Sequence, residues 1–257
     1  MAYDLTLDGI VIGELPLNDN DKLLTLITSK RGKMVVLAKG IKAINSKRSA
    51  GAQLFCYSSF GFVKRDERLY LDAIEVKDSF QGLRDDLESV ALASYFAEVA
   101  SSVCMEDNDE SEILRLLLNC IYALSNLKNK PKWMIKAAFE LKCMCIQGFA
   151  PNFNECCICS RGNGTVSKNI VFELLEGGFV CGNCSSSETF EISKYGYLIS
   201  SGTYKAIKYI CESEQGKMLG FDVQADKVGE FSRICEQYVT VHTEKKYKTL
   251  DYYKQLK

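Results

Sequence analysis

Two short cysteine pairs carry the most specific chemistry in this sequence. Cys156-Cys157-Ile158-Cys159 and Cys181-Gly182-Asn183-Cys184 share a C-x-x-C spacing, with 21 residues between the pairs. Each such pair forms a tight turn that aims two thiolates at one centre. Two turns together supply the four soft ligands of a tetrahedral Zn²⁺ site. The candidate ligands are Cys156, Cys159, Cys181 and Cys184. Cys157 is the extra thiol, since only Cys156 with Cys159 repeats the spacing of the second pair. A redox-active C-x-x-C is the alternative, but that chemistry takes one pair rather than two. A closed site of four cysteines leaves no position for a substrate or an activated water, so the expected role of the metal is structural. Between the pairs, Asn169 to Leu175, Glu176-Gly177-Gly178 and Phe179-Val180 read as a β-hairpin leading back into the second pair, the layout of a zinc ribbon.

The second chemical signal is charge. From Lys22 to Arg65 there is no Asp or Glu, but ten cations: Lys22, Lys30, Arg31, Lys33, Lys39, Lys42, Lys47, Arg48, Lys64 and Arg65. The formal net charge of −1 hides this, because the rest of the chain holds 22 of the 32 Lys and Arg against all 33 Asp and Glu. Positive charge gathered into one segment attracts a polyanion, and nucleic acid is the commonest. Lys30, Arg31, Lys33, Lys39, Lys42, Lys47, Arg48, Lys64 and Arg65 are the candidate DNA contacts. The plainer reading is a solvated basic face. Phe55, Tyr57, Phe60 and Phe62 beside this segment offer rings for base stacking, but a small barrel needs the same rings as filling.

Catalytic signals are missing. There is no Walker A loop, no G-x-G-x-x-G and no G-x-S-x-G. The single histidine, His242, excludes a site built on two or three histidines. Asp85-Asp86 sits at a helix start, where carboxylates favour the helix dipole. No carboxylate cluster for Mg²⁺ stands out, which disfavours a nuclease. The expectation is no enzyme. The remaining cysteines (Cys56, Cys104, Cys120, Cys143, Cys145, Cys211 and Cys235) are scattered and read as small buried hydrophobes.

The elements that must position these groups follow from periodicity. Tyr3 to Ile12, Leu23 to Thr28, Met34 to Ala38, Leu54 to Val63 and Leu69 to Val76 read as strands. Ser29 to Lys33 and Lys64-Arg65-Asp66-Glu67 are turns, and Asn45 to Gly51 is a loop. Five short strands and no long helix suggest a small barrel. From Leu83 the period becomes helical: Leu92, Phe96, Val99 and Val103 form one face, and Ile113, Leu116, Leu117, Cys120, Leu124 and Leu127 another. Pro131 opens a third helix that Gly148 stops. Ser200-Ser201 caps a helix carrying Ile207, Ile210 and Cys211, and Val228, Phe231, Ile234, Cys235, Tyr238 and Val241 face one way on a last one. With 257 residues, 47% apolar and 25% charged, the chain fits one large or two ordinary globular domains. No run is long and apolar enough for a membrane helix, and the opening residues predict no signal peptide.

In this order the parts resemble the bacterial recombination mediator family RecO along essentially the whole length. The resemblance is carried by Leu7-Asp8-Gly9-Ile10-Val11-Ile12, Leu23-Leu24-Thr25-Leu26-Ile27-Thr28, Arg31-Gly32-Lys33, Ala38-Lys39-Gly40 and Ser46-Lys47. Gly148-Phe149-Ala150-Pro151 ahead of Cys156, and Lys246-Tyr247-Lys248-Thr249-Leu250 near the end, complete it. Members of the family often have Gly directly after the second Cys, where this chain has Ser160. The resemblance implies an α+β multidomain fold: an N-terminal OB-fold barrel over residues 1–80, a helical domain over 81–150 and 191–257, and an inserted four-cysteine zinc-ribbon module over 151–190. It implies a cytoplasmic, nucleoid-associated, non-enzymatic protein that binds single- and double-stranded DNA and anneals complementary strands. Such a protein works with RecR and single-stranded-DNA-binding protein to load RecA. Lys245, Lys246 and Lys248 are candidates for the acidic C-terminal tail of single-stranded-DNA-binding protein, with solvated surface charge as their plainer reading. A zinc-ribbon adaptor that joins proteins without touching DNA is the competing function.

Overall fold

The computed structural model describes residues 3–43, 46–65, 68–162 and 170–256. Asn45, Asp66, Glu67 and Asn169, which fall in the loop, turn and hairpin expected above, lie outside them. The chain divides into two compact units, one of residues 1–129 with 247–257 and the other of residues 130–246.

The first unit opens with five strands: β1 (Leu5–Pro16), β2 (Lys22–Thr28), β3 (Gly32–Ala38), β4 (Tyr57–Arg65) and β5 (Arg68–Asp78). They form an antiparallel sheet in the order β3-β2-β1-β4-β5. Strand β3 also approaches β5, so the sheet curls into an OB-like barrel. Alternation fills its interior: Leu7, Val11, Leu24, Leu26, Phe60, Phe62 and Leu71 pack inward. Phe55, Phe60 and Phe62 are buried, so these rings are core rather than base platforms, while Tyr57 is half-buried.

Three helices complete the unit: α1 (Leu87–Val103), α2 (Ser111–Asn126) and, from the far end of the chain, α7 (Lys248–Gln255). Asp86 caps α1 by accepting from the Glu88 N–H at 3.2 Å and the Ser89 hydroxyl at 2.6 Å. The stripe Ile113, Leu116, Leu117, Cys120 and Leu124 on α2 is buried as its spacing predicts. Helix α7 packs on α1. Tyr247 meets Tyr95 edge-on at 5.6 Å, and Glu98 accepts from the Thr249 N–H at 3.2 Å.

The second unit holds α3 (Lys132–Ile146), β6 (Asn152–Cys156), β7 (Ile170–Glu173), β8 (Gly178–Val180), α4 (Gly182–Ser185), β9 (Gly196–Ile199), α5 (Ser201–Glu212) and α6 (Val228–Thr243). Its sheet runs β6-β8-β7-β9. The hairpin β7–β8 is antiparallel as expected, but β6 lies parallel to β8. Helix α3 packs against α5 and α6. Ser200 caps α5 by accepting from the Thr203 N–H at 3.1 Å. Aromatic rings join sheet and helices: Phe172 stacks on Phe179 at 4.5 Å, and Tyr238 of α6 lies 5.4 Å from Phe172. Tyr238 also donates its hydroxyl to the Phe149 carbonyl at 2.7 Å, which fixes the segment leading into β6. His242 stacks on Phe149 at 4.5 Å, and burial holds its pKa below the ordinary value against a hydrogen bond with the Leu174 backbone. It is a packing residue. No described helix is long and apolar enough to cross a membrane.

Candidate metal centre and basic barrel surface

Both C-x-x-C pairs are closed by the same local turn. The Ser160 N–H donates to the Cys156 carbonyl at 2.9 Å, and the Ser185 N–H to the Cys181 carbonyl at 2.9 Å. The parallel pairing of β6 with β8 sets Cys156 opposite Phe179 and so lays one turn beside the other. As a result, the sulfurs of Cys156, Cys159, Cys181 and Cys184 all lie within 4.8 Å of one another, and those of Cys159 and Cys181 are 3.9 Å apart. A tetrahedral centre with metal–sulfur bonds of ~2.3 Å needs sulfurs ~3.8 Å apart, so the cage has the right size and donor set for a Zn²⁺-like ion.

The surroundings favour thiolate at Cys156. Burial opposes ionisation of Cys156, but the backbone N–H groups of Cys181, Cys159 and Ile158 outweigh it and bring the thiol down to about 6. The Cys181 N–H reaches the Cys156 sulfur at 3.3 Å. Such backbone donors spread the charge of a metal–thiolate centre. Cys184 moves the other way, to about 12, because its thiol is hydrogen-bonded with Cys159 and Cys181. Cys157 lies outside the four-sulfur group, against Gly178, with its thiol pushed up to about 11 by burial and by the charge of Cys156. Ser160 closes the first turn with φ of 52°. That left-handed backbone is the one glycine adopts without strain, which explains why glycine suits the position.

The nine barrel cations fall into two groups. Lys39, Lys42 and Arg48 gather where the β3–β4 connection meets β5. Lys39 lies over the Tyr70 ring at 5.8 Å, and Lys42 Nζ donates to the Asn18 carbonyl at 2.9 Å. Arg48 spreads its guanidinium over the carbonyls of Lys39 at 2.7 Å, Leu71 at 3.2 Å and Asp72 at 3.3 Å. Tyr70 pairs with Val63, next to the exposed Lys64 and Arg65 at the end of β4. Lys47 is exposed on the same connection. Tyr70 carried no signal in the sequence, since its partner Lys39 comes from a strand end 31 residues away.

Lys30, Arg31 and Lys33 form the other group, and an acidic loop clasps them. The Gly32 backbone bridges Glu106, the Asp107 N–H donates to the Arg31 carbonyl at 3.1 Å, and the Glu110 N–H to the Ser29 carbonyl at 2.9 Å. Arg31 pairs with Asp107 at 3.0 Å, and Lys33 Nζ donates to the Ser101 carbonyl at 3.0 Å. The approach is so close that a Cβ on Gly32 would lie 2.0 Å from the Met105 carbonyl oxygen. Lys245 and Lys246 are exposed after α6, and Lys248 is exposed in the first turn of α7.

Of the scattered cysteines, Cys56, Cys104, Cys120, Cys143 and Cys235 are buried as read from the sequence. Cys145 and Cys211 depart from that reading in being only partly buried.

Residues 1–80 match the family model described as Recombination protein O N terminal, and residues 84–251 match Recombination protein O C terminal. The chain belongs to the RecO family. A DNA repair protein RecO from Acetivibrio thermocellus is 31% identical over 252 residues, covering 98% of this chain and 97% of the relative. Proteins of the same name from Desulforamulus reducens and Clostridium novyi are 27% and 26% identical, over 96% and 93% of this chain and 92% and 89% of the relatives. RecO membership makes this chain a DNA repair protein. It also accounts for the architecture, an OB-like barrel followed by helices and a four-cysteine group able to hold a metal ion.

Proposed function

We propose that this RecO family protein is a non-enzymatic recombination mediator that grips DNA phosphates with its barrel, anneals complementary single strands and, with RecR, helps load RecA onto DNA coated by single-stranded-DNA-binding protein. The observation that carries the reading is the match of both RecO family models to a chain whose barrel concentrates cations. Annealing needs no chemical step: cations that neutralise both strands lower their mutual repulsion and leave the bases free to pair. Phosphate contacts carry no sequence information, so binding is indifferent to sequence. The working set is Lys39, Lys47, Lys64 and Arg65, with Lys30 at the hairpin tip. Arg31, Lys33, Lys42 and Arg48 serve the fold first, because their side chains are already engaged.

The four cysteines would hold one structural Zn²⁺, which supplies folding energy to the module and no catalysis. The functional division we propose is a barrel over 1–80, helices over 81–150 and 191–257, and the zinc module over 151–190, in a cytoplasmic protein associated with the nucleoid. Lys245, Lys246 and Lys248 are offered as contacts for the acidic tail of single-stranded-DNA-binding protein.

The test is annealing of complementary strands coated by single-stranded-DNA-binding protein, with and without RecR. Acceleration by this protein supports the reading. No acceleration, together with DNA binding indistinguishable from background, would leave the zinc-ribbon adaptor as the function. The internal engagement of Arg31, Lys33 and Arg48 is the observation favouring that second reading.

A further inference from the structure

A cavity of about 320 Å³ opens beside the β7–β8 hairpin of the second unit. That is the small end of the ~300–1,000 Å³ range of ligand pockets. Ile158, Leu175, Phe190 and Tyr195 give it apolar and aromatic walls, and two carboxylates, Glu173 and Glu176, line it with them. Ile158 and Leu175 are exposed, so apolar surface is left open to water there. The two carboxylates differ in depth: Glu176 is exposed, whereas Glu173 is only 9% exposed.

Glu173 ends β7 opposite Gly196 of β9, and a Cβ on Gly196 would lie 2.5 Å from its Oε1. The missing side chain gives the carboxylate its space. Its Oε2 accepts from the Ser193 hydroxyl at 2.5 Å. That donor is neutral, and no Lys or Arg among the described residues pairs with Glu173. Lys194, next to Ser193 in the chain, lies over the Tyr195 ring at 5.2 Å instead. A buried carboxylate without a counter-charge is destabilising, and an entering cation of good geometry offsets that.

We propose that this cavity binds an aliphatic chain ending in a cation, the chemistry of an arginine side chain. Glu173 takes the guanidinium through the oxygen that Ser193 leaves open, and the exposed Glu176 adds charge at the entrance. Ile158 and Leu175 cover the aliphatic stem, while the Phe190 and Tyr195 rings offer faces to the planar head. The cavity selects the charge opposite to that of DNA and uses none of the barrel cations, so cation capture and DNA binding hold or fail separately. A basic peptide of a partner protein and a free alkylguanidine carry the same group, and the experiment separates them.

The zinc-loaded full chain, labelled for amide NMR, is titrated with an acetylated and amidated Gly-Arg-Gly peptide, with its norleucine counterpart and with butylguanidinium. Saturable shifts are expected at the amides of Glu176, Ser193 and Tyr195, with the norleucine peptide about tenfold weaker or more. Glu173→Gln keeps the volume and the acceptor for Ser193 and should weaken the arginine peptide about tenfold or more. Glu176→Gln, at the exposed position, should weaken it about twofold to threefold. A peptide that binds well ahead of butylguanidinium makes a partner's segment the source, and equal affinity makes it a free small cation; both uphold the site. No saturable shift at these amides with either cation would overturn the proposal, as would equal binding of the norleucine peptide or unchanged binding in Glu173→Gln. If Glu173→Gln fails to fold, the comparison of arginine with norleucine on the unaltered chain decides.

Discussion

Replacing Lys39, Lys47 and Arg65 by Gln tests the phosphate-gripping barrel most directly. These side chains are exposed, and the one ring contact among them, Lys39 over Tyr70, is a loose one at 5.8 Å. The contrast is with Arg48, whose guanidinium bridges three carbonyls, and with Lys33, held by Ser101. Reversing Lys30, Arg31 and Lys33 to Glu is a poor alternative. It would set three new carboxylates against Glu106, Asp107, Asp109 and Glu110, and any loss of binding would be confounded with unfolding of the clasp. If Lys30, Lys39, Lys47, Lys64 and Arg65 each neutralise one phosphate, log K on single strands should fall with log[salt] at a slope of about −3.5. Each contact contributes ~0.7 to that slope, hence ~0.6 log units at 0.15 M salt. The triple variant should therefore bind about 50-fold more weakly at 0.15 M, with a slope near −1.4, and match the parent when extrapolated to 1 M. Fluorescence anisotropy of a labelled oligonucleotide across a salt series reads both numbers. An unchanged slope, or a loss that persists undiminished at high salt, would refute the assignment of these cations to phosphates.

Other outcomes follow from particular atoms. Gly32→Ala forces a Cβ into the Met105 carbonyl at a φ of 54° and should cost about 3 kcal/mol or more in chemical denaturation, since the hydrogen bonds of the clasp must open; a loss below ~1 kcal/mol would show that the loop yields easily. Ser160→Gly should stabilise by about 0.5–1 kcal/mol by relieving left-handed backbone, measured with metal bound. Cys181→Ser should abolish stoichiometric zinc by metal analysis and unfold the module, because metal energy there is folding energy. Zinc titrated into metal-free protein at pH 7.5 should release fewer than four protons from the four thiols, since Cys156, lowered to about 6, is already ionised above that pH; release of all four would contradict its lowered pKa. Below that value Cys156 takes up a proton that must be displaced, so zinc affinity should fall more steeply with acid.

Local features were legible in the sequence. The C-x-x-C spacing, the hairpin between the pairs, the period-2 strands and the α2 stripe depend on neighbours a few residues apart. Contacts between distant segments were not. The acidic run Glu106 to Glu110 is plain to read, yet nothing in its spacing says that it closes on a hairpin more than 70 residues earlier. For the same reason Arg48 reads as a DNA-facing cation although it holds the β3–β4 connection to β5. The parallel placement of β6 beside β8, on which the four-sulfur cage depends, is equally invisible, because period-2 patterning does not reveal strand direction.

The return of α7 to α1 orders events on the ribosome. Residues 130–246 form one uninterrupted stretch, whereas the other unit is split around it and closes only with residues 247–257. The metal-holding unit can therefore emerge whole and fold while its host still lacks a helix. Helix α1 must wait, with its α7-facing surface uncovered, until Tyr247, Thr249 and Leu250 have been synthesised.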